Sequence, residues 1–371
     1  MIYLYSQLQQ GTNWLRRYAN HSPTLACILG FTATALIKNI SAAGSTPKER
    51  EYTAIADAEF LASGIQSCYQ RPLPILTHGL SPTFITRAMV EALRLPVQIF
   101  NAGLLHQPSV ATIDLGGIPA NCLTTGRAMP LDTVRHLFDR GWQWGKKLAA
   151  TNDYVLIGEC VVGGTTTAMA VLTALGIEAR QLVSSSLQKC DRDFKWSVVK
   201  TGLSAADLLT APNSVDPLAV IAAVGDPMQA VAAGMAIAAS QNTGVMLAGG
   251  TQMLAVYASI QAIASYYDLA MVADNIVVGT TRWVVEDLTG DAISLAKIID
   301  GVPLLATGLN FATSKYPGFR AYERGYVKEG VGAGGCAIAA HLKQSWTPTQ
   351  LLTIVETLFA RYQNLRMNAI G

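Results

Sequence analysis

The chain has 371 residues, 50% of them hydrophobic and 14% charged, with 27 basic against 25 acidic side chains and a net charge of +2. Such a composition builds a large core and excludes a disordered chain, and the near balance of charge excludes the basic footprint of a nucleic-acid binder. The length suits about two lobes, or one large α/β unit.

Residues 1–20 carry polar side chains throughout and do not make a signal peptide. A first strand is predicted over Leu25–Leu29, inside an apolar stretch, Leu25–Ile37, that is too short to span a bilayer. Residues 38–52 are polar and predict an exposed loop. Further strands are predicted over Pro74–Thr77, Val97–Asn101, Tyr154–Ile157, Val245–Ala248, Ile276–Thr280 and Pro303–Ala306. Between them, helical periodicity covers Ser81–Leu93, Thr133–Thr151, Thr165–Leu175 and Phe194–Leu203. It returns over Pro217–Val224, Pro227–Gln241, Thr251–Tyr266 and Thr347–Asn368. Asp216-Pro217 and Asp226-Pro227 each set an N-cap acid before a proline at the first helical position. Gly225-Asp226-Pro227 also breaks the apolar run Leu218–Ala239 into two buried helices, so no membrane segment is expected.

Solidly apolar strands separated by helices predict an α/β fold: a mostly parallel, Rossmann-like sheet flanked by helices. The expected unit is single, with a large lobe over about residues 70–340. A smaller helical lobe is expected from about 1–60 and 341–371. The Ala-rich Pro227–Gln241 stretch and the low charge predict a homodimer. The six cysteines and five histidines are scattered, without CxxC or HExxH, which predicts free thiols, a cytoplasmic setting and neither metal nor cofactor.

Two segments carry chemistry. In residues 154–167, YVLIGECVVGGTTT, a strand enters a glycine turn and then an Ala-rich helix. The first N–H groups of such a helix have no internal partner and, with the dipole, form an anion site. Gly163 and Gly164 let an anion approach, Thr165 and Thr166 add hydroxyls, and Glu159 is an acid the turn does not need. The other reading is an ordinary strand-to-helix turn with a threonine cap. A P-loop is excluded, because Gly164 stands where its lysine belongs.

The second segment, residues 324–335, reads RGYVKEGVGAGG. Gly330, Gly332 and Gly335 fit GxGxxG, yet only 36 residues follow Gly335, too few for a dinucleotide-binding domain. Glu329 enters this small-residue segment either as a general base or as a helix N-cap acid. Burial would raise its pKa, whereas a helix N-terminus and Lys328 would lower it. Lys195, in residues 191–200, DRDFKWSVVK, reads alone as a solvated lysine.

Together these segments resemble the nicotinate-nucleotide–dimethylbenzimidazole phosphoribosyltransferase family, and more closely its divergent cobalamin-phosphoribosyltransferase-like, UPF0284-type branch. Residues 158–166 resemble the family's glycine turn, and Lys195 with Val198, Val199 and Leu203 its phosphate-contacting helix. The strand ending at Gly249 resembles the one beside the nucleotide. Pro317, Gly318 and Arg320, after Ser314, resemble its PGHR segment, and residues 327–333 the segment holding the proposed base. Gly164, Phe319 and Val161 depart from the family's Asn, His and Gly. The likeness spans about residues 110–340.

The resemblance implies transfer of the 5-phosphoribosyl group of nicotinate mononucleotide to an aromatic nitrogen base, giving nicotinate and an α-ribotide 5′-phosphate for the cobamide lower loop. It implies Glu329 as base, and Glu159, Gly163, Gly164, Thr165, Thr166, Lys195, Gly249, Ser314, Gly330 and Gly332 as substrate-binding residues. A non-catalytic nucleotide-binding paralogue and another nucleotide-dependent enzyme, such as a dehydrogenase, are the alternatives.

Overall fold

The computed structural model describes residues 1–74, 76, 78–188, 191–209 and 215–368. Its one sheet contains β1 (Ile2–Leu4), β2 (Pro23–Leu29), β3 (Val97–Asn101), β4 (Ile113–Asp114), β5 (Tyr154–Cys160), β6 (Gly244–Ala248), β7 (Ile276–Thr281) and β8 (Leu304–Thr307). The order is β1-β8-β7-β6-β5-β2-β3-β4. Only β1, paired with β8, runs antiparallel.

Both faces of the sheet are covered, which is why its strands read as continuous apolar runs. Alternation still sorts them: Val155 and Ile157 of β5 join one core, Tyr154 and Leu156 the other. The predicted strands recur within a few residues of their expected limits, except Pro74–Thr77. Pro74 and Leu76 are in no strand, and Ile75 and Thr77 lie outside the described residues. Pro72 and Pro74 carry no N–H to donate to a ladder, which disfavours a strand here.

Three other expectations change. Residues 1–60, assigned above to the helical lobe, also supply β1 and β2, and β2 stands between β5 and β3. Residues 38–52 are not simply an exposed loop: Ile40, Gly44 and Arg50 are buried, and Pro47–Arg50 forms a helical turn. The Ala-rich helix Pro227–Ser240 is buried at every residue within this chain, so it is no free face for a second copy.

Helix Leu131–Ala149 covers that Ala-rich helix at very close range. A Cβ on Gly141 would come within 2.2 Å of Val231 O, and one on Gly145 within 2.3 Å of Met235 O. The glycines therefore bring two backbones together where side chains would hold them apart.

Chain order sets where a ligand can sit. From β2 the sheet grows one way through β3 and β4, and from β5 the other way through β6, β7 and β8. The strand order reverses between β2 and β5, and ligands of open α/β sheets bind at the carboxyl ends of strands at such a point.

Candidate functional site

A cleft of about 800 Å³ opens at the carboxyl end of β5. Glu159 and Cys160 end the strand, and Val161–Gly164 turn into the helix Gly164–Ala174. Gly163 is the N-cap in the left-handed conformation, with φ of 87°, which glycine adopts without strain. Gly164 N donates to Val161 O, and Thr166 N and Thr167 N donate to Gly163 O, closing the turn. A side chain at position 164 would meet Gln252 Nε2 at 2.9 Å, so Gln252 fills the space left where the family has Asn.

Glu329 reaches the same cleft from the other glycine segment. Its Oε1 accepts from Gly330 N at 3.0 Å and Gly334 N at 3.1 Å. Its Oε2 accepts from Thr281 N at 2.9 Å, Thr280 Oγ1 at 3.2 Å and Gly334 N at 3.2 Å. Glu329 thus takes a first-turn N–H of the helix Ala333–Gln344, whose N-cap is Gly332, and lines the cleft at once. Burial raises its carboxyl to about 7, and the hydrogen bonds from Gly330, Gly334, Thr281 and Thr280 only partly offset this. The buried Nζ of Lys328 meets Asp287 Oδ2 at 2.9 Å and donates to Ser185 O at 2.7 Å.

Glu159 is raised further, to about 8, by burial first and then by Asp226, with Glu329 and Asp57 adding repulsion against its bond from Val161 N. Asp57 and Asp226 are also raised by burial. Asp57 accepts from Ser81, Thr83 and Cys160. Asp226 forms a capping box with Gln229 and accepts from Thr167 and Gln252. Among the described residues, no cluster of three or more acid, histidine or cysteine side chains is placed to hold a metal ion.

The structure brings together Glu159, Gly163, Gly164, Thr165, Glu329 and Gly330 on the cleft wall. Thr166 lies just beneath, fully buried, with its hydroxyl unpartnered. Lys195 is buried beside the turn, not solvated, and donates to Thr165 Oγ1 at 3.0 Å and Ser184 O at 3.2 Å. Gly332 packs between Gly158 and Ala248 below the floor, and Gly249 against Met253. Ser314 is not on the cleft wall: its hydroxyl is committed to Glu356 of the C-terminal helix at 2.7 Å.

Asp57, Gln252 and the Ser41–Ala43 segment line the cleft without having been singled out in the sequence. Asp226, behind the lining, did have a signal, its proline cap. The others sit in helices and loops whose local pattern is ordinary and are assembled by tertiary contact alone.

A phosphoribosyltransferase family model, DBI_PRT, matches residues 85–294. The UPF0284 protein of Rippkaea orientalis (strain PCC 8801 / RF-1) is 60% identical over 360 residues, covering 96% of this chain and 98% of that protein. The UPF0284 protein of Trichodesmium erythraeum (strain IMS101) is 57% identical over 364 residues, covering 98% and 99%. CobT from Thermus thermophilus shares the fold, with a TM-score of 0.59 at 15% identity over 94% of this chain and 90% of that one. A nicotinate-nucleotide-dimethylbenzimidazole phosphoribosyltransferase from the same organism gives 0.58 at 14% identity over 95% of each chain. The chain belongs to the DBI_PRT phosphoribosyltransferase family and groups with the UPF0284 proteins.

Proposed function

We propose that the protein transfers the 5-phosphoribosyl group of nicotinate mononucleotide to an aromatic nitrogen base. The observation that carries this reading is the pairing of Glu159 and Glu329 in one cleft, where burial pushes both carboxyls up toward neutrality. The acceptor nitrogen attacks the ribose C1′ while the bond from C1′ to the pyridinium nitrogen breaks. The electron pair of that bond neutralises the departing nicotinate ring, and the acceptor's N–H proton passes to Glu329.

A base works best when its pKa lies near the working pH, as that of Glu329 does. Glu159, still largely protonated at pH 7, is suited to hold a ribose hydroxyl or the acceptor. Gly163, Gly164 and Thr165 would receive the phosphate at the helix N-terminus. Thr166 and Lys195 would act from behind the turn and Gly330 from across the cleft. Gly249, Gly332 and Ser314, off the cleft wall, are left to shaping the elements around it. Placement among cytoplasmic enzymes of cobamide assembly follows from the same resemblance; among the described residues no helix is long and apolar enough to cross a membrane.

A homodimer is proposed on composition, with an interface other than the Pro227–Ser240 helix; a monomer in light scattering at micromolar concentration rejects it. The transferase reading is tested by incubating nicotinate mononucleotide with a panel of benzimidazoles, purines and phenols. Release of nicotinate that depends on one of them is expected. Tight nucleotide binding without release with any of them would favour the non-catalytic paralogue.

A further inference from the structure

Beside the main cleft lies a second recess of about 740 Å³. The two share Ser41, Ala42, Ser186 and Val327 in their walls. Arg50 lines this recess and is only 4% exposed. Its Nη1 donates to Ala35 O at 2.7 Å and to Ile37 O at 3.0 Å. Its Nε is buried without a partner. No carboxylate among the described residues pairs with it, and burial disfavours its charge. A buried guanidinium is normally matched by an anion, because an unpaired charge in a protein interior is strongly unfavourable.

The main cleft offers no cation among its described lining residues: Asp57, Glu159 and Glu329 line it, and no lysine or arginine does. The lysines behind it have partners, Lys328 in Asp287 and Lys195 in Thr165 and Ser184. A cleft lining without a cation, beside a recess that holds one, fits a ligand whose oxyanion reaches Arg50. Ala35, whose carbonyl takes the Arg50 bond, also borders the glycine turn: a Cβ on Gly163 would lie 3.3 Å from Ala35 N.

We propose that Arg50 binds the oxyanion, a phosphate or a carboxylate, of the molecule held in the main cleft. The donor's 5′-phosphate is the favoured occupant, because the glycine turn that would receive it borders Ala35, whose carbonyl holds Arg50. The identity of that donor rests on the transferase reading above; the oxyanion site itself does not.

Calorimetric titration of wild type, Arg50→Lys and Arg50→Met with nicotinate mononucleotide and with its dephosphorylated riboside tests this. Arg50→Met should weaken mononucleotide binding by about 10- to 100-fold and leave riboside binding unchanged, with Arg50→Lys between. Unchanged mononucleotide affinity with selectively weakened binding of carboxylated aromatic bases would keep the oxyanion site and assign it to the acceptor. Equal affinities of the folded variants and wild type for all of these ligands would overturn the proposal. Should Arg50→Met fail to fold, a crystal structure of the wild type with the mononucleotide decides. An oxyanion within about 3.5 Å of the guanidinium supports the site, and none there rejects it. Because binding is read without turnover, a chain that transfers to no base yet needs Arg50 for phosphate loses only the transferase reading.

Discussion

Burial and hydrogen bonding pull the Glu329 carboxyl in opposite directions, and burial wins, leaving it near 7. The sequence showed both influences but not their balance, which depends on how many N–H groups the folded turn aims at it. The same contacts alter what Glu329→Gln does. Both oxygens accept backbone N–H bonds, so an amide must turn its NH₂ against donors. A stability loss of about 1–3 kcal/mol is expected, beside a fall in transfer rate of about 10²–10⁴-fold. Near-wild-type turnover of the folded variant at saturating substrate, under conditions where the acceptor must lose a proton, would move the base assignment to Glu159. At Gly163 two constraints coincide, the positive φ and the contact with Ala35. Gly163→Val should cost about 1–3 kcal/mol of stability and weaken mononucleotide binding; unchanged calorimetric affinity would remove the turn from the anion site. Ser314 shows what motif position leaves open: the sequence cannot reveal that Glu356, 42 residues on, holds its hydroxyl.

At the scale of elements, the parallel strands were legible because two-sided burial writes them as apolar runs, and the proline caps marked Pro217–Val224 and Pro227–Ser240. Helix Thr53–Ser63 was hidden by Asp57 and Glu59, acids that look solvent-facing but are buried. Helix Ala333–Gln344 was hidden by its opening glycines, which local propensity marks as breakers. The turn before it is held against its own preference. Val327, Lys328 and Val331 all have positive φ, which costs a β-branched residue most. Lys328 is the tie: its Nζ reaches Asp287, Ser185 O, Leu187 O and Thr289 Oγ1. Lys328 and Asp287 side chains are 3% and 2% exposed, so removing one partner strands the other in the interior. Lys328→Met should therefore destabilise the chain by about 3–5 kcal/mol in urea unfolding and lower kcat through a displaced Glu329. A variant as stable as wild type would show that the turn holds its shape without this pair.

For the whole molecule, four buried carboxyls around one cleft make stability depend on pH in an unusual direction. Asp57, Glu159, Asp226 and Glu329 all have raised pKa values in the folded chain. In the unfolded chain each ionises near its ordinary value, so between about pH 4.5 and 8 the folded state holds more protons than the unfolded state. Stability from these groups is complete below the unfolded pKa and is lost as pH rises through the folded values. Glu159, raised from 4.5 to about 8, carries the widest window that can be given a number. One unit corresponds to about 1.4 kcal/mol, and contact with solvent at the cleft reduces the full shift to an expected 1–3 kcal/mol, roughly. Glu159→Gln removes the titration while keeping an oxygen for the Val161 N–H. The gap in melting temperature between Glu159→Gln and wild type should therefore widen in favour of the variant from about pH 5 to about pH 8.5. Subtracting wild type cancels the acid and alkaline transitions of the rest of the chain, so a gap that stays constant with pH would mean that Glu159 ionises alike in the folded and unfolded states. Nicotinate mononucleotide should narrow the wild type's loss at high pH if its cationic ring rests over the ionised acids, which a thermal shift series with ligand at each pH would show.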